Sequence, residues 1–187
     1  MGAYTTRAIT DAEYHDIIDC IENGYLEHKP NPQIACIIRL EANLGCRIND
    51  IMNLTTDSFI KDGGIWKINI REQKTGKARY FIVPQPVKDY IDKWIEDNGI
   101  SAHEPLFTIK AGAVWKALRQ VRDFLNLDNI GTHSMRKYCA SRLYEATGHD
   151  IQAVSQFLNH SSTRTTSIYI RRSDDVLENA INRSVAL

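Results

Sequence analysis

The stretch "IWKINIREQKTGKARYFIVP", residues 65–84, decides the fold class. Trp66, Ile68 and Ile70 alternate with polar residues, the period of a strand with one buried face. "KTGK" supplies a turn, "RYFIVP" returns, and Pro84 and Pro86 end the pairing, so a small antiparallel sheet or hairpin is predicted. Every other periodic segment reads as helix. Upstream, "ITDAEYHDIIDCIENG" opens on Thr10 as N-cap with Glu13 three residues later, a capping box, and closes on Asn23-Gly24. After "HKPNP", the segment "QIACIIRLEANLG" spaces Ile34, Ile37, Ile38 and Leu40 along one helix and stops at Gly45; a short helix over 47–54 follows. Downstream, helices are predicted over 87–97, 113–125, 132–146, 150–158 and 163–169, with a last one starting near Ser173. The predicted class is mainly α (α+β): a helical domain with a small antiparallel β-sheet on one edge. The sequence has no repeat, low-complexity tract or internal linker, so residues 1–187 are read as a single domain.

A chain of this length buries about two thirds of the surface its unfolded form exposes and needs no covalent staples. Cys20, Cys36, Cys46 and Cys139 are scattered among apolar neighbours without zinc-ligand spacing and are read as reduced core residues. No apolar run approaches the ~20 residues of a membrane span, and "MGAYTTRAIT" lacks the apolar centre of a signal peptide, so a cytoplasmic protein with no membrane partner is predicted. Formal net charge is zero, with 23 basic and 23 acidic residues, which taken alone argues against a nucleic-acid partner. The distribution argues the other way. Between Gly131 and Arg172, six basic residues (Arg136, Lys137, Arg142, Arg164, Arg171, Arg172) face only Glu145 and Asp150, and between Arg71 and Arg79 four face only Glu72. The acids concentrate in the first thirty residues, from Asp11 to Glu27, and such a polarised surface can bind phosphate.

Four places set reactive residues beside turns: "GCRIND" with Arg47; "QKTGK" with Lys74; "THSMRK" with His133 and Arg136 on one helical face; and "LNHSSTRTTSIYIRR", residues 158–172, with His160 and Tyr169 nine residues on. Singly, each has an ordinary explanation as a solvated cation or a core tyrosine. Together they resemble the tyrosine recombinases, or phage integrase family, across nearly the whole chain: G-x-R-x-x-(E/D) as "GCRIND", a hairpin lysine in "KTGK", H-x-(L/M)-R as "HSMR", L-x-H-S-S as "LNHSS", then the tyrosine.

The resemblance implies the catalytic domain of a DNA strand transferase, and the chemistry agrees. Attack on a phosphodiester adds negative charge at an anionic centre, which calls for fixed cations on the non-bridging oxygens. Arginine's planar fork suits that task, so Arg47 and Arg136 are expected to form a phosphate clamp, with His160 as a further donor. A phenol with a reference pKa near ~10 needs a base, and His133 is the expected one for Tyr169. Lys74, on the hairpin, is the expected general acid for the leaving 5′ oxygen. Asp50, one turn from Arg47, either orients a group of the site or satisfies backbone donors at a helix start. Arg71, Lys77, Arg79, Lys137, Arg164, Arg171 and Arg172 are expected to contact the DNA backbone. No metal and no cofactor is implied.

Asn159 stands where the family commonly carries glycine; asparagine tolerates the same left-handed conformation. The core-binding and arm-binding domains that family members usually carry at their N-terminus are not found in this chain, so weak, salt-sensitive DNA affinity is expected from these residues alone. In the tail, Val176, Leu177, Ala180 and Ile181 form an apolar stripe that packs either on its own core or, as the resemblance favours, in trans on a neighbouring protomer of a tetrameric synapse. The leading reading is the integrase of a phage or other mobile element acting on double-stranded DNA recombination sites. The alternatives are an Xer-like chromosome dimer resolvase, a type IB topoisomerase, and a non-catalytic DNA-binding module keeping the fold.

Overall fold

The computed structural model describes residues 6–170. Arg171, Arg172 and the predicted C-terminal helix lie outside the described residues, so the docking of that helix and those two DNA contacts are not addressed by it. The order of elements is α1 (Asp11–Asn23), α2 (Pro32–Leu44), α3 (Ile48–Met52), β1 (Phe59–Asp62), β2 (Ile65–Arg71), β3 (Ala78–Ile82), α4 (Gln85–Asp97), α5 (Ala111–Phe124), α6 (Thr132–Ala146), α7 (Ile151–Phe157) and α8 (Thr163–Tyr169).

Local sequence accounts for most of the boundaries. Thr10 and Glu13 form the predicted capping box at the start of α1, while Asn31 caps α2 and Asp150 caps α7 through their side chains. Two differences have clear causes. α4 starts at Gln85 and takes in Pro86, because proline is tolerated in the first turn, where no N–H partner is needed. The sheet has three strands in the order β1-β2-β3, all antiparallel; β1 has only four residues, too few for an alternation to register, and joins β2 across Gly63-Gly64.

α2 is the central helix. Ile34, Ala35, Cys36, Ile37, Ile38, Leu40, Ala42 and Leu44 are all buried, packed against α1 on one side and α6 on another. A second, smaller apolar cluster of Ala140, Tyr144, Val154 and Leu158 joins α6 to α7, with Tyr169 and Ile170 packed on its rim. All four cysteines are buried and free, and burial pushes the Cys46 thiol to about 11 and those of Cys36 and Cys139 to about 12, so these three are unreactive core groups. Among the described residues, no helix is long and apolar enough to cross a membrane.

Gly45 ties these parts together. It ends α2 in the left-handed region at φ 55°, and a Cβ there would lie 2.9 Å from Phe157 Cε1 and 3.0 Å from Leu158 Cδ2. Only glycine lets the end of α2 approach the end of α7 so closely, and the chain then delivers Arg47 to the start of α3.

Candidate active site

Two helices end side by side, leaving unpaired carbonyls that need donors. Two buried arginines supply them. Arg79 donates to Leu44 O (3.0 Å), Gly45 O (3.2 Å) and Leu158 O (3.1 Å), while Arg136 donates to Gly45 O and to Leu158 O (2.7 Å). Both cations sit at helix C-termini, where the backbone dipole favours positive charge. Burial together with the charges of Arg79 and Arg47 lowers the Arg136 pKa from its usual value, and the guanidinium still stays protonated.

Glu72 balances this charge. Its carboxylate is fully buried and accepts from Arg47 Nη1 (2.5 Å), Arg79 Nη1 (3.2 Å) and Thr75 Oγ1 (2.7 Å). Burial alone would raise its pKa, but the bonds from Thr75, Arg47 and Arg79 outweigh it and hold the group at about 2. Asp50 Oδ1 accepts the backbone N–H of Gln73 at 2.9 Å, while Oδ2 lies 4.0 Å from Arg47. Asp50 thereby ties the start of the hairpin turn, next to Lys74, to α3.

His160 accepts at Nε2 from Arg136 Nη2 (3.0 Å), since a guanidinium only donates, and its Nδ1–H then donates to the buried Thr166 hydroxyl (2.9 Å). Burial, then the charges of Arg136, Arg47 and Arg79, press its pKa to about 4, so the ring is neutral at pH 7. The ring of Tyr169, at the end of α8, meets His160 edge-on with centroids 5.0 Å apart. The same ring lies 5.9 Å from Arg136 Cζ and 5.5 Å from Lys137 Nζ. His133, exposed in the first turn of α6, has its pKa lowered by partial desolvation and by the charges of Arg136, Lys74, Lys137 and Arg47. The mutual influence of these groups places Lys74 and His133 in one electrostatic neighbourhood with both arginines. His160, Arg136 and Lys137 thus gather around the Tyr169 ring, and Glu72 joins Arg47 to Arg79 beside them.

The family model for the phage integrase family matches residues 7–175. The chain belongs to the phage integrase family. It is 28% identical over 141 residues to the probable integrase/recombinase YoeC of Bacillus subtilis, covering 71% of this chain and 74% of that one. It is 24% identical to the tyrosine recombinase XerA of Pyrococcus furiosus, covering 95% of this chain and 62% of the relative. The fold matches the catalytic domain of bacteriophage HP1 integrase with a TM-score of 0.66 at 18% identity, over 96% of this chain and 95% of that one. It matches XerH bound to palindromic difH substrate, a post-cleavage complex, with a TM-score of 0.76 at 20% identity, over 97% of this chain and 54% of the XerH chain.

Within this phage integrase domain, several sequence expectations need correcting. Arg79 does not face solvent, as a DNA contact was expected to: it is 2% exposed and spends its donors on helix-end carbonyls and Glu72. Strand alternation carried the signal, because Arg79 lies on the same face as Phe81, whose ring lies 4.6 Å from its guanidinium carbon. Lys137 is also buried, and its ammonium donates to the Thr6 carbonyl, so it does not reach the surface as a backbone contact. His160 offers no free donor as placed, since both ring nitrogens are engaged with Arg136 and Thr166. Arg136 is fully buried, with both terminal nitrogens engaged and the Tyr169 ring nearby, so its guanidinium is not open to solvent in this arrangement. Arg71, Lys77 and Arg164 are exposed; Arg71 closes the hairpin onto Gly76 O (2.6 Å) and Lys77 reaches Ser161 Oγ (3.1 Å). Sequence reasoning missed Glu72 and Thr166 as members of the site. Glu72 left a trace as the lone acid in a basic hairpin; Thr166 left none.

Proposed function

We propose that this chain is the strand-transfer domain of a site-specific DNA recombinase, the integrase of a phage or other mobile element, acting in the cytoplasm on double-stranded recombination sites. The observation that carries the reading is Tyr169, half-buried against His160 and close to Arg136, in the same charge cluster as Arg47, Lys74 and His133. In this reading the Tyr169 oxygen attacks the scissile phosphorus and its proton passes to His133, which is neutral at pH 7 as a base must be. The P–O5′ bond breaks, Lys74 gives a proton to the departing 5′ oxygen, and the products are a 3′-phosphotyrosyl bond and a free 5′-hydroxyl. Arg47 and Arg136 stabilise the charge that builds on the non-bridging oxygens. Glu72 holds Arg47 in place, and His160 holds the fork of Arg136. The phosphotyrosyl bond keeps the energy of the broken linkage, so a second strand can reseal it without ATP.

A second reading, a chromosome dimer resolvase, is favoured by the XerA relative and the XerH fold match. The two differ in whether the cognate site lies at the ends of a mobile element or once per chromosome. In either case a tetramer on paired sites, with the C-terminal segment docked in trans, is the proposed assembly. The test is incubation with a nicked suicide duplex carrying the cognate site. A covalent protein–DNA adduct that forms in chelator and is lost in Tyr169→Phe is expected; no adduct from folded full-length protein would overturn the proposal.

A further inference from the structure

Asn159 holds a turn position that glycine could equally fill, yet its side chain makes a bond that glycine could not. The residue sits in the left-handed region at φ 56°, with its backbone N–H on Gln156 O at 3.0 Å. Glycine would adopt this φ at no steric cost, so the backbone alone does not call for asparagine. The amide Nδ2 reaches across to β3 and donates to Ala78 O at 3.2 Å. Among the described residues β3 is an edge strand, with outward backbone groups that no further strand pairs.

Two neighbouring bonds run the same way: Lys77 Nζ to Ser161 Oγ (3.1 Å) and Arg79 Nη1 to Leu158 O (3.1 Å). Residues 77–79 of the hairpin are thereby fastened to residues 158–161, the loop that carries His160. The other side of the turn is fastened by Gln73 N–H on Asp50. Between the fastenings the turn closes on itself, with Glu72 N–H on Lys77 O (2.9 Å) and Gly76 N–H on Glu72 O (2.8 Å). Lys74 rides on this turn. Arg79 makes the buried tether on the His160 side; of the two on the solvent side, Lys77 is long and exposed and loses much rotamer freedom in holding its partner, whereas the Asn159 amide is short and projects from a fixed backbone.

We propose that Asn159 is a positioning residue: its amide locks the lysine hairpin to the His160 loop, so that Lys74 and the Tyr169 side of the site keep one register. The consequence for chemistry rests on the proposed role of Lys74 as proton donor; the tether does not.

Hydrogen exchange on Asn159→Gly and Asn159→Asp tests the tether directly, since both residues tolerate the left-handed conformation and neither can donate to Ala78 O. The Glu72 and Gly76 amides should exchange about fivefold faster than in the parent, the scale of one ordinary hydrogen bond. The Leu158 amide, which bonds to Val154 O inside the α7 end, should be unchanged. Unchanged hairpin amides in both variants, or equal acceleration of Leu158, would overturn the proposal. The link to Lys74 is tested with full-length protein on its own cognate suicide duplex, made with oxygen or with sulfur at the bridging 5′ position. A thiolate, with a pKa near ~8.5, leaves without a proton donor. Asn159→Gly should slow cleavage of the oxygen duplex about fivefold and leave the sulfur duplex at the parent rate; equal slowing of both would break the link. Lys74→Ala slowed equally on both would instead refute Lys74 as the proton donor, leaving the tether to be judged by exchange alone.

Discussion

Glu72→Gln is the sharpest perturbation of this site. The carboxyl is fully buried between Arg47 and Arg79 and is held at about 2 against an ordinary value of 4.5. At about 1.4 kcal/mol per pH unit, that depression corresponds to about 3 kcal/mol of stability at pH 7. Removing one partner of a buried ion pair costs about 3–5 kcal/mol in general, so the two estimates agree. The sign follows from linkage: a carboxylate with a lowered folded pKa stabilises above 4.5, and the contribution fades as pH falls toward about 2. Urea unfolding followed by tryptophan fluorescence should therefore find Glu72→Gln less stable by about 3 kcal/mol at pH 7, and by about half as much at pH 3. A loss below about 1 kcal/mol at pH 7, or one that does not vary with pH, would refute the buried-ion account.

Other consequences are equally measurable. Glu41 on α2 is completely buried, neither carboxyl oxygen has a hydrogen-bond partner among the described residues, and burial raises its pKa well above 4.5 against the opposing pull of Arg136. Since the unfolded carboxyl ionises first, stability conferred by the neutral form is lost as pH climbs above 4.5, so Glu41→Gln should gain on the parent between pH 4.5 and 7.5 in urea titrations. Arg79→Met removes one of the two cations that Glu72 pairs with and the side-chain donor of Leu44 O, and should cost about 3–5 kcal/mol in the absence of any DNA, measured by urea unfolding; a variant as stable as the parent would restore the surface reading. Lys74→Met removes one of the charges depressing His133, so an NMR titration of the His133 ring should show its pKa move up.

The Glu72 and Arg79 results bear on how far sequence reading reaches. Helix ends were legible because caps act locally: Thr10 with Glu13, Gly45 and Asp150 each show their role within a few residues. The hairpin was legible from alternation and its turn, and β1 was not, because four residues carry too little pattern. The positions of Arg47, Lys74, His133, Arg136, His160 and Tyr169 were readable from motif spacing. Which way their side chains face was not. Arg136 and Arg79 turn inward because the ends of α2 and α7 meet at Gly45 and leave carbonyls that only buried donors can satisfy, and that meeting joins residues separated by more than a hundred positions in the chain. Residue type and spacing thus singled out the six candidate groups, but not Glu72 or Thr166 beside them. Tertiary packing alone decided which cations face solvent, which are spent on the backbone, and that one buried acid balances them, because burial and long-range hydrogen bonding exist only once the chain has folded.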